Sequence, residues 1–449
     1  YERTPMSEVF DNAIKANLQK DSLSVELKVS PFQTARGFEI YEYDNKKIIR
    51  GQYSSVLSVS DYLDKKGFIT MCSDYESQGL RVLAIASKNT TSEQMYSIDG
   101  VVVFEDPLKT DAVDVYRTLQ DDLKVTVKII TGDTKEVASY IGNILNPNLG
   151  KNLCYSMDEY DDSKATLIRD YFIYAKCKPE QKSNLIDQHL TTGVVGFMGE
   201  GINDALALRR ADIGFVVSNG SDIARQSGDV ILLEKSLNPV IDAIRISRQA
   251  FIKIKTYLLC TLTGNIGTLI SLTTVVIFWN QVPLLPIQIL LNNLLTDLPL
   301  IFLISDRISS ELTKRPAKID IRKFFTLIIT FATVSSLFDF IFFYFFKGYD
   351  ISVLRTGWFV FSVFAELTLV YSLRSELSIF KAPKISRLLK SGLIICYILA
   401  GVLPFIKFGA LFHLVPLTGI QFSILISIVL IYLCVNELVK KLFFSRKHL

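Results

Sequence analysis

Histidine is nearly missing: three in 449 residues. Cysteine is scarce as well. Cys72, Cys154, Cys177, Cys260, Cys396 and Cys434 form no C-x-x-C pair. These two shortages exclude a zinc module and a disulfide framework, and point to buried free thiols in a reducing compartment. Charge of one sign is lacking too, since 49 Lys and Arg against 45 Asp and Glu leave a net charge of only +4. The first residues, YERTPMSEVF, contain no initiator Met, no basic stretch and no apolar core, so no signal peptide is read there. That abrupt start is expected of the downstream part of a longer chain.

Apolar residues, by contrast, are abundant. They make up 49% of the chain, and the mean hydropathy is +0.31, too high for an ordinary soluble enzyme. The small net charge hides a division. The first 256 residues carry 31 basic and 36 acidic side chains; the remainder carries 18 and 9. An acidic, soluble half therefore precedes a basic, apolar half. This pattern excludes a wholly soluble protein, a disordered chain and a nucleic-acid binder with a basic groove.

Six stretches in the second half approach the roughly 20 apolar residues that a spanning helix needs: 257–279, 284–304, 324–346, 357–373, 388–406 and 420–438. Basic residues cluster before the first, between the second and third, between the fourth and fifth, and after the sixth. The other loops offer only Lys347, Arg355 and Lys407. Such alternation predicts a multi-pass protein of the cell (plasma) membrane with the soluble half and both termini cytoplasmic.

Polar groups inside spans are costly and therefore point to function. The second span holds Asn292, Asn293, Thr296 and Asp297 just before Pro299. Asn293 and Asp297, four residues apart, share a helix face. Pro299 lacks an N–H and frees a carbonyl. Together these form an oxygen-rich set suited to a hard cation. Asn265 lies between Gly264 and Gly267 in the first span, Asp339 in the third and Glu366 in the fourth. For these three, interhelical hydrogen bonding competes with ion coordination.

In the soluble half, strand and helix patterns alternate from Gly100 onward, which predicts a parallel sheet with its chemistry beyond the carboxyl ends of the strands. VVVF reads as the first strand and VTVKII as the second, ending in Thr131-Gly132-Asp133. YFIYAKC is followed by a helix bearing Lys182, and VVGFM runs into GEGIND with Glu200, Asn203 and Asp204. A hydroxyl with glycine amides, an ammonium and two carboxylates on successive strand ends suit phosphoryl transfer. The hydroxyl and amides hold phosphate oxygens, Lys182 neutralises charge, and the carboxylates hold or support Mg2+. Residues 1 to about 98 read as a separate α+β segment in which Phe32, Arg36, Arg50 and Arg81 could stack on and pair with a nucleotide; a solvated face is the competing reading of those arginines.

These residues together resemble the P-type cation-transporting ATPases, over nearly the whole chain but only the downstream portion of the family. ITGD at 130–133, KCKPEQK at 176–182 and GFMGEGINDALALRRADIGFVV at 196–217 carry the resemblance in the soluble half, with GLRVLAIA at 79–86 and RGQ at 50–52. NNLLTDLP at 292–299 is similar to the family's ion-binding sixth membrane helix. SSLFDF around Asp339 and GWFVFSVFAELTLV around Glu366 are most similar to the bacterial magnesium-transporting subclass, with the calcium pumps next. The resemblance implies an α/β fold: a HAD-like parallel-sheet phosphorylation domain, partial, at 99–245, an α+β nucleotide-binding segment at 1–98, and a six-helix transmembrane bundle at 246–449. It implies ATP and Mg2+ as cofactors, and a divalent cation as cargo, with the resemblance alone favouring magnesium. Thr131, Gly132, Asp133, Lys182, Asn203 and Asp204 would serve phosphoryl transfer, Glu200 and Asp204 the magnesium ion, and Asn265, Asn293, Thr296, Asp297, Asp339 and Glu366 the cargo. Its partners would be the cation, the lipid membrane and a missing N-terminal portion, with no nucleic acid.

The chain departs from the pattern in several places. It contains no D-K-T-G-T, T-G-E-S or P-E-G-L; residue 200 is Glu where Asp is usual, residue 206 is Leu where Pro is usual, and position 37 is Gly where Lys is usual. Lacking the phosphorylated aspartate, the chain alone is not expected to form an acyl phosphate. The alternatives are a degenerate, inactive derivative of such a pump and a calcium-transporting fragment. A membrane-tethered phosphatase needs a D-x-D strand end, which is absent, and a gradient-driven porter would not need the phosphotransfer half.

Overall fold

The computed structural model of the chain describes residues 28–30, 36–43, 45–91, 94–148, 150, 153–160, 170–234 and 236–445. These fall into two units, Tyr1–Ile241 and Asp242–Leu449.

The first unit begins with a six-stranded sheet in the order β1-β2-β3-β5-β6-β4. Its strands are β1 (Lys28–Ser30), β2 (Phe38–Tyr43), β3 (Lys46–Gln52), β4 (Ser60–Asp61), β5 (Leu80–Asn89) and β6 (Tyr96–Glu105). All pairings are antiparallel except the short β4–β6 contact. Along β5, Val82, Ala84 and Ala86 are buried while the residues between them are half-buried, the period-two signature of a strand with one covered face. Helices α1 (Tyr53–Ser58) and α2 (Lys65–Ser77) supply the covering side chains Val56, Leu57, Phe68 and Cys72. VVVF, expected to open the parallel region, is instead the second half of β6 and pairs antiparallel with β5. The strand therefore runs across the expected boundary at residue 98. The apolar run alone could not reveal a partner that precedes it.

The rest of this unit alternates strand and helix as expected, but forms two three-stranded parallel sheets rather than one. One has the order β7-β9-β8, with β7 (Ile129–Ile130), β8 (Cys154–Ser156) and β9 (Ile173–Ala175). The other has the order β10-β11-β12, with β10 (Gly196–Gly199), β11 (Ile213–Val217) and β12 (Val230–Leu232). The intervening helices are α3 (Ala112–Arg117), α4 (Lys135–Leu145), α5 (Pro179–Leu190), α6 (Ala205–Arg210) and α7 (Asp222–Ser227). Because β7 and β9 run parallel, Thr131 and the Lys176–Cys177 turn emerge at the same end. There Cys177 N–H donates to Thr131 O (2.9 Å) and Lys176 N–H to Asp133 O (2.8 Å).

Among the described residues, six helices are long and apolar enough to cross a membrane. They are α8 (Asn238–Trp279), α9 (Pro286–Ile301, prolonged by a short 3-10 turn to Ser305), α10 (Ile321–Phe346), α11 (Ile351–Leu373), α12 (Arg387–Val402) and α13 (Gly419–Ser445). Their number matches the sequence reading. Helix α11 is the axis of the second unit: 83% of its most apolar stretch is buried, against 28–44% for the others. It packs against α9, α10, α12 and α13. Trp358, Phe359, Val360 and Phe361 are almost wholly enclosed, so this helix is apolar on all sides because it has no lipid-facing or water-facing side to spare.

Candidate functional site

In the first unit the sequence-predicted groups converge on a cavity of about 320 Å³ lined by Lys109, Thr131, Gly132, Lys182, Gly199, Glu200 and Asp204, with apolar side chains behind them. Three local structures deliver these residues. The β7 end is closed on itself: Thr131 Oγ1 donates to Asp133 Oδ2 (2.8 Å) and Asp133 N–H donates back to Thr131 Oγ1 (3.1 Å). Gly132 lies between them with open space around it, since an added Cβ would meet only Cys177 O at 3.8 Å. Lys176, on the neighbouring turn, takes a left-handed φ of 52°, uncommon for a side chain of this kind.

Lys182 stands in the first turns of α5, which starts with Pro179 where the missing N–H costs nothing. Its ammonium lies 2.7 Å from Asp204 Oδ1, and both side chains are largely buried. The other oxygen of Asp204 accepts from Glu200 N–H (3.3 Å) and Gly201 N–H (3.2 Å). Asp204 is therefore fully committed to its own loop and to Lys182. Glu200 lines the cavity, is exposed and has no side-chain partner among the described residues. Gly199 explains the first glycine of GEGIND: a Cβ there would fall 2.5 Å from Asp204 Cβ. Asn203 is exposed and does not line the cavity.

Arg81 reaches this region from β5. Its guanidinium pairs with Asp133 Oδ2 (3.0 Å) and Asp106 Oδ2 (3.1 Å). The other expected nucleotide contacts are placed differently. Arg50 is drawn into an inward ion pair with Glu39 (2.8 Å) and lies over the Tyr41 ring, and Arg36 Nε donates to Phe38 O (3.2 Å). Neither the solvated face nor a free cation describes Arg50, because the antiparallel register sets Arg50 opposite Glu39. Phe32 lies outside the described residues.

Two residues were missed by the sequence reading. Lys109, in the EDPLK segment that follows VVVF, lines the cavity. Glu76, on α2, is buried at the face that packs on α4, the helix following Thr131-Gly132-Asp133. Burial pushes its carboxyl up to about 6, although the Tyr53 hydroxyl donates to it at 3.3 Å. Only a lone acidic residue among apolar positions of α2 could have signalled it.

In the second unit the expected ion ligands do not gather in one place. Asn292 and Thr296 lie on the buried stripe of α9; Asn293 and Asp297 lie together on its exposed stripe. Glu366 of α11 accepts from Asn292 Nδ2 (3.3 Å) and Thr268 Oγ1 (3.4 Å), and Gly264 leaves room for it, its added Cβ meeting Glu366 Cδ at 3.4 Å. Asn292 Oδ1 is buried without a partner. Asn265 is exposed on α8. Asp339 has both oxygens occupied, by Ser271 Oγ (2.6 Å) and Trp358 Nε1 (2.8 Å), which is a helix-packing arrangement. The expected single cluster of Asn293, Thr296 and Asp297 is thus split, because the 100° step of a helix separates 296 from its neighbours. Among the described residues no three His, Cys, Asp or Glu side chains gather as a metal site.

Comparison with known proteins agrees with both halves. Residues 9–212 match the haloacid dehalogenase-like hydrolase family, and residues 281–442 match the family described as cation transporting ATPase, C-terminus. The chain is 30% identical over 390 residues to the Magnesium-transporting ATPase, P-type 1, of Escherichia coli (strain K12), covering 83% of this chain and 43% of that protein. It belongs to the P-type cation-transporting ATPases. The protein of the same name from Salmonella typhimurium is 30% identical over 402 residues, and a Calcium-transporting ATPase of Bacillus subtilis 26% over 371. This P-type ATPase chain spans less than half the length of the magnesium-transporting relatives it matches. It is α/β in its HAD-like part and a multi-pass membrane protein in the remainder.

Proposed function

We propose that this chain carries the phosphate-handling and ion-handling parts of a pump that couples ATP hydrolysis to movement of a divalent cation, with Mg2+ the favoured cargo. The observation that carries the reading is the cavity where the Lys182–Asp204 pair, the Thr131 hydroxyl and the Gly132 backbone meet at the ends of β7 and β10. Thr131 and the Gly132 amide would hold phosphoryl oxygens, and Lys182 would offset their charge while Asp204 keeps its ammonium in place. Glu200 offers one free hard-oxygen donor, which fits a magnesium ion that retains several waters. When bound there, such an ion would neutralise charge on the phosphoryl group. Asp204 serves as a positioning residue, its two oxygens being already engaged.

For the cargo, the magnesium-transporting relatives favour Mg2+. Glu366 with Asn292 and Thr296 supplies one set of oxygens, and Asn293 with Asp297 a second on the adjacent stripe of α9. The basic loops favour a cytoplasmic location for the soluble unit and a plasma-membrane setting. The test uses the purified full chain in detergent. ATP binding in the presence of Mg2+ is measured by displacement of a fluorescent ATP analogue, and cation binding by titration with Mg2+ and Ca2+ separately. ATP binding that weakens in Lys182→Met, with a preference for Mg2+ over Ca2+, supports the proposal. Absence of ATP binding overturns it, and a Ca2+ preference moves the cargo to calcium.

A further inference from the structure

The phosphate cavity holds two lysines whose electrostatic situations differ. Lys182 is neutralised in place by Asp204 at 2.7 Å, and the pair is largely removed from water. Arg81, which pairs with Asp133 beside Gly132, has its two terminal nitrogens on Asp106 and Asp133. Lys109 is exposed and makes no ion pair or side-chain hydrogen bond among the described residues. Its electrostatic neighbour Asp111 is already engaged by Ser236 Oγ (2.7 Å) and Leu237 N–H (2.8 Å). An anion entering the cavity thus meets one cation that no ion pair or side-chain hydrogen bond holds among the described residues.

The backbone around Lys109 is fixed. It follows the end of β6 through Pro107, whose φ is preset, and the Lys109 carbonyl accepts from Ala112 N–H (3.0 Å) as α3 begins. The anchored main chain and the four-carbon stem let the ammonium reach an anion with little rearrangement of the protein. The cavity volume, about 320 Å³, lies at the lower end of the range of small-ligand pockets, roughly 300–1,000 Å³.

The geometry points to Lys109 as the anion-capturing residue of this cavity: it binds the phosphoryl oxygens of a phosphate or nucleotide directly, while Lys182 is held by Asp204 until that charge arrives. This rests on the phosphate-site reading above. Lysine at this exposed position gives affinity for a tetrahedral dianion and makes no ion pair or side-chain hydrogen bond among the described residues that its loss would break.

The experiment is equilibrium binding of radiolabelled inorganic phosphate to the purified full chain, for the unchanged protein and for Lys109→Met, Lys109→Arg and Lys182→Met, with thermal melting of each. Loss of a charge-assisted hydrogen bond predicts about a tenfold or greater weakening in Lys109→Met. Lys109→Arg should recover most of the affinity, and melting should be unchanged in both. Equal phosphate affinity in Lys109→Met and the unchanged protein overturns the assignment. So does a lowered melting temperature in Lys109→Met that Lys109→Arg does not restore. If the unchanged chain binds no phosphate, the phosphate-site reading itself fails and Lys109 falls with it.

Discussion

Asp204 joins the Lys182 ammonium to the two backbone amides of its own loop, one oxygen 2.7 Å from Lys182 Nζ and the other 3.2 Å from Gly201 N. One carboxylate thus sets both the position of a cation and the shape of the turn beside it. Asp204→Ala should lower the stability of the soluble unit by about 2 kcal/mol, since it leaves a largely buried ammonium and two amides without their acceptor. Thermal melting of the full chain, followed by far-ultraviolet circular dichroism, measures it; an unchanged melting temperature contradicts the argument.

Gly199 and Gly132 should respond oppositely to alanine. At Gly199 the new methyl would collide with Asp204 Cβ at 2.5 Å, whereas at Gly132 it meets nothing closer than 3.8 Å. Gly199→Ala should therefore weaken ATP binding by tenfold or more through displacement of Asp204, an overpacking cost of about 1–3 kcal/mol. Gly132→Ala should change stability little. Paired titrations with a fluorescent ATP analogue and paired melts separate the two.

Glu76 makes stability depend on pH. Burial raises its folded carboxyl from 4.5 to about 6, so the folded chain holds this proton more tightly than the unfolded one. The stabilisation is complete below about pH 4.5 and is lost as pH rises through about 6, amounting to roughly 2 kcal/mol. Glu76→Gln should flatten that part of the stability profile and raise the melting temperature near pH 7.5. Melts between pH 5 and 8 would show no difference if the carboxyl were unperturbed.

Arg50→Met should destabilise the six-stranded sheet by about 3 kcal/mol, because Glu39, 6% exposed, is left as a buried charge with no cation. ATP affinity should remain close to that of the unchanged protein. Loss of ATP binding with an unaltered melt would return Arg50 to the nucleotide site.

Among the helices, Asp339→Ala and Glu366→Gln should part company. Asp339 accepts from Ser271 and Trp358 and holds three helices together, so its loss should lower the melting temperature and leave Mg2+ affinity within about twofold. Glu366→Gln keeps the hydrogen bonds of Asn292 and Thr268 to its Oε1 and removes a charge, so Mg2+ affinity should fall with little loss of stability. Calorimetric Mg2+ titration beside melting distinguishes these outcomes.

The parts legible in the sequence were those whose signal is local. Six apolar runs became six helices, and Thr131, Lys182, Glu200 and Asp204 met because each follows a short strand. What escaped depends on partners far along the chain. Nothing in VVVF announces that it pairs antiparallel with β5, and nothing in RGQ that Arg50 faces Glu39 across a hairpin register. The division of NNLLTD into two stripes followed from helical periodicity; which stripe the bundle would bury depended on where α11 packs.

The β5–β6 pairing sets Arg81 opposite Phe104, two residues before Asp106, while Lys109 follows three residues beyond Asp106. Arg81 and the segment that leads to Lys109 are therefore joined through one pair of strands. A change that tilts this pair of strands would swing both charges together, so a substitution as remote as Val82, buried in the sheet, would mistune phosphate affinity while touching no group in the cavity.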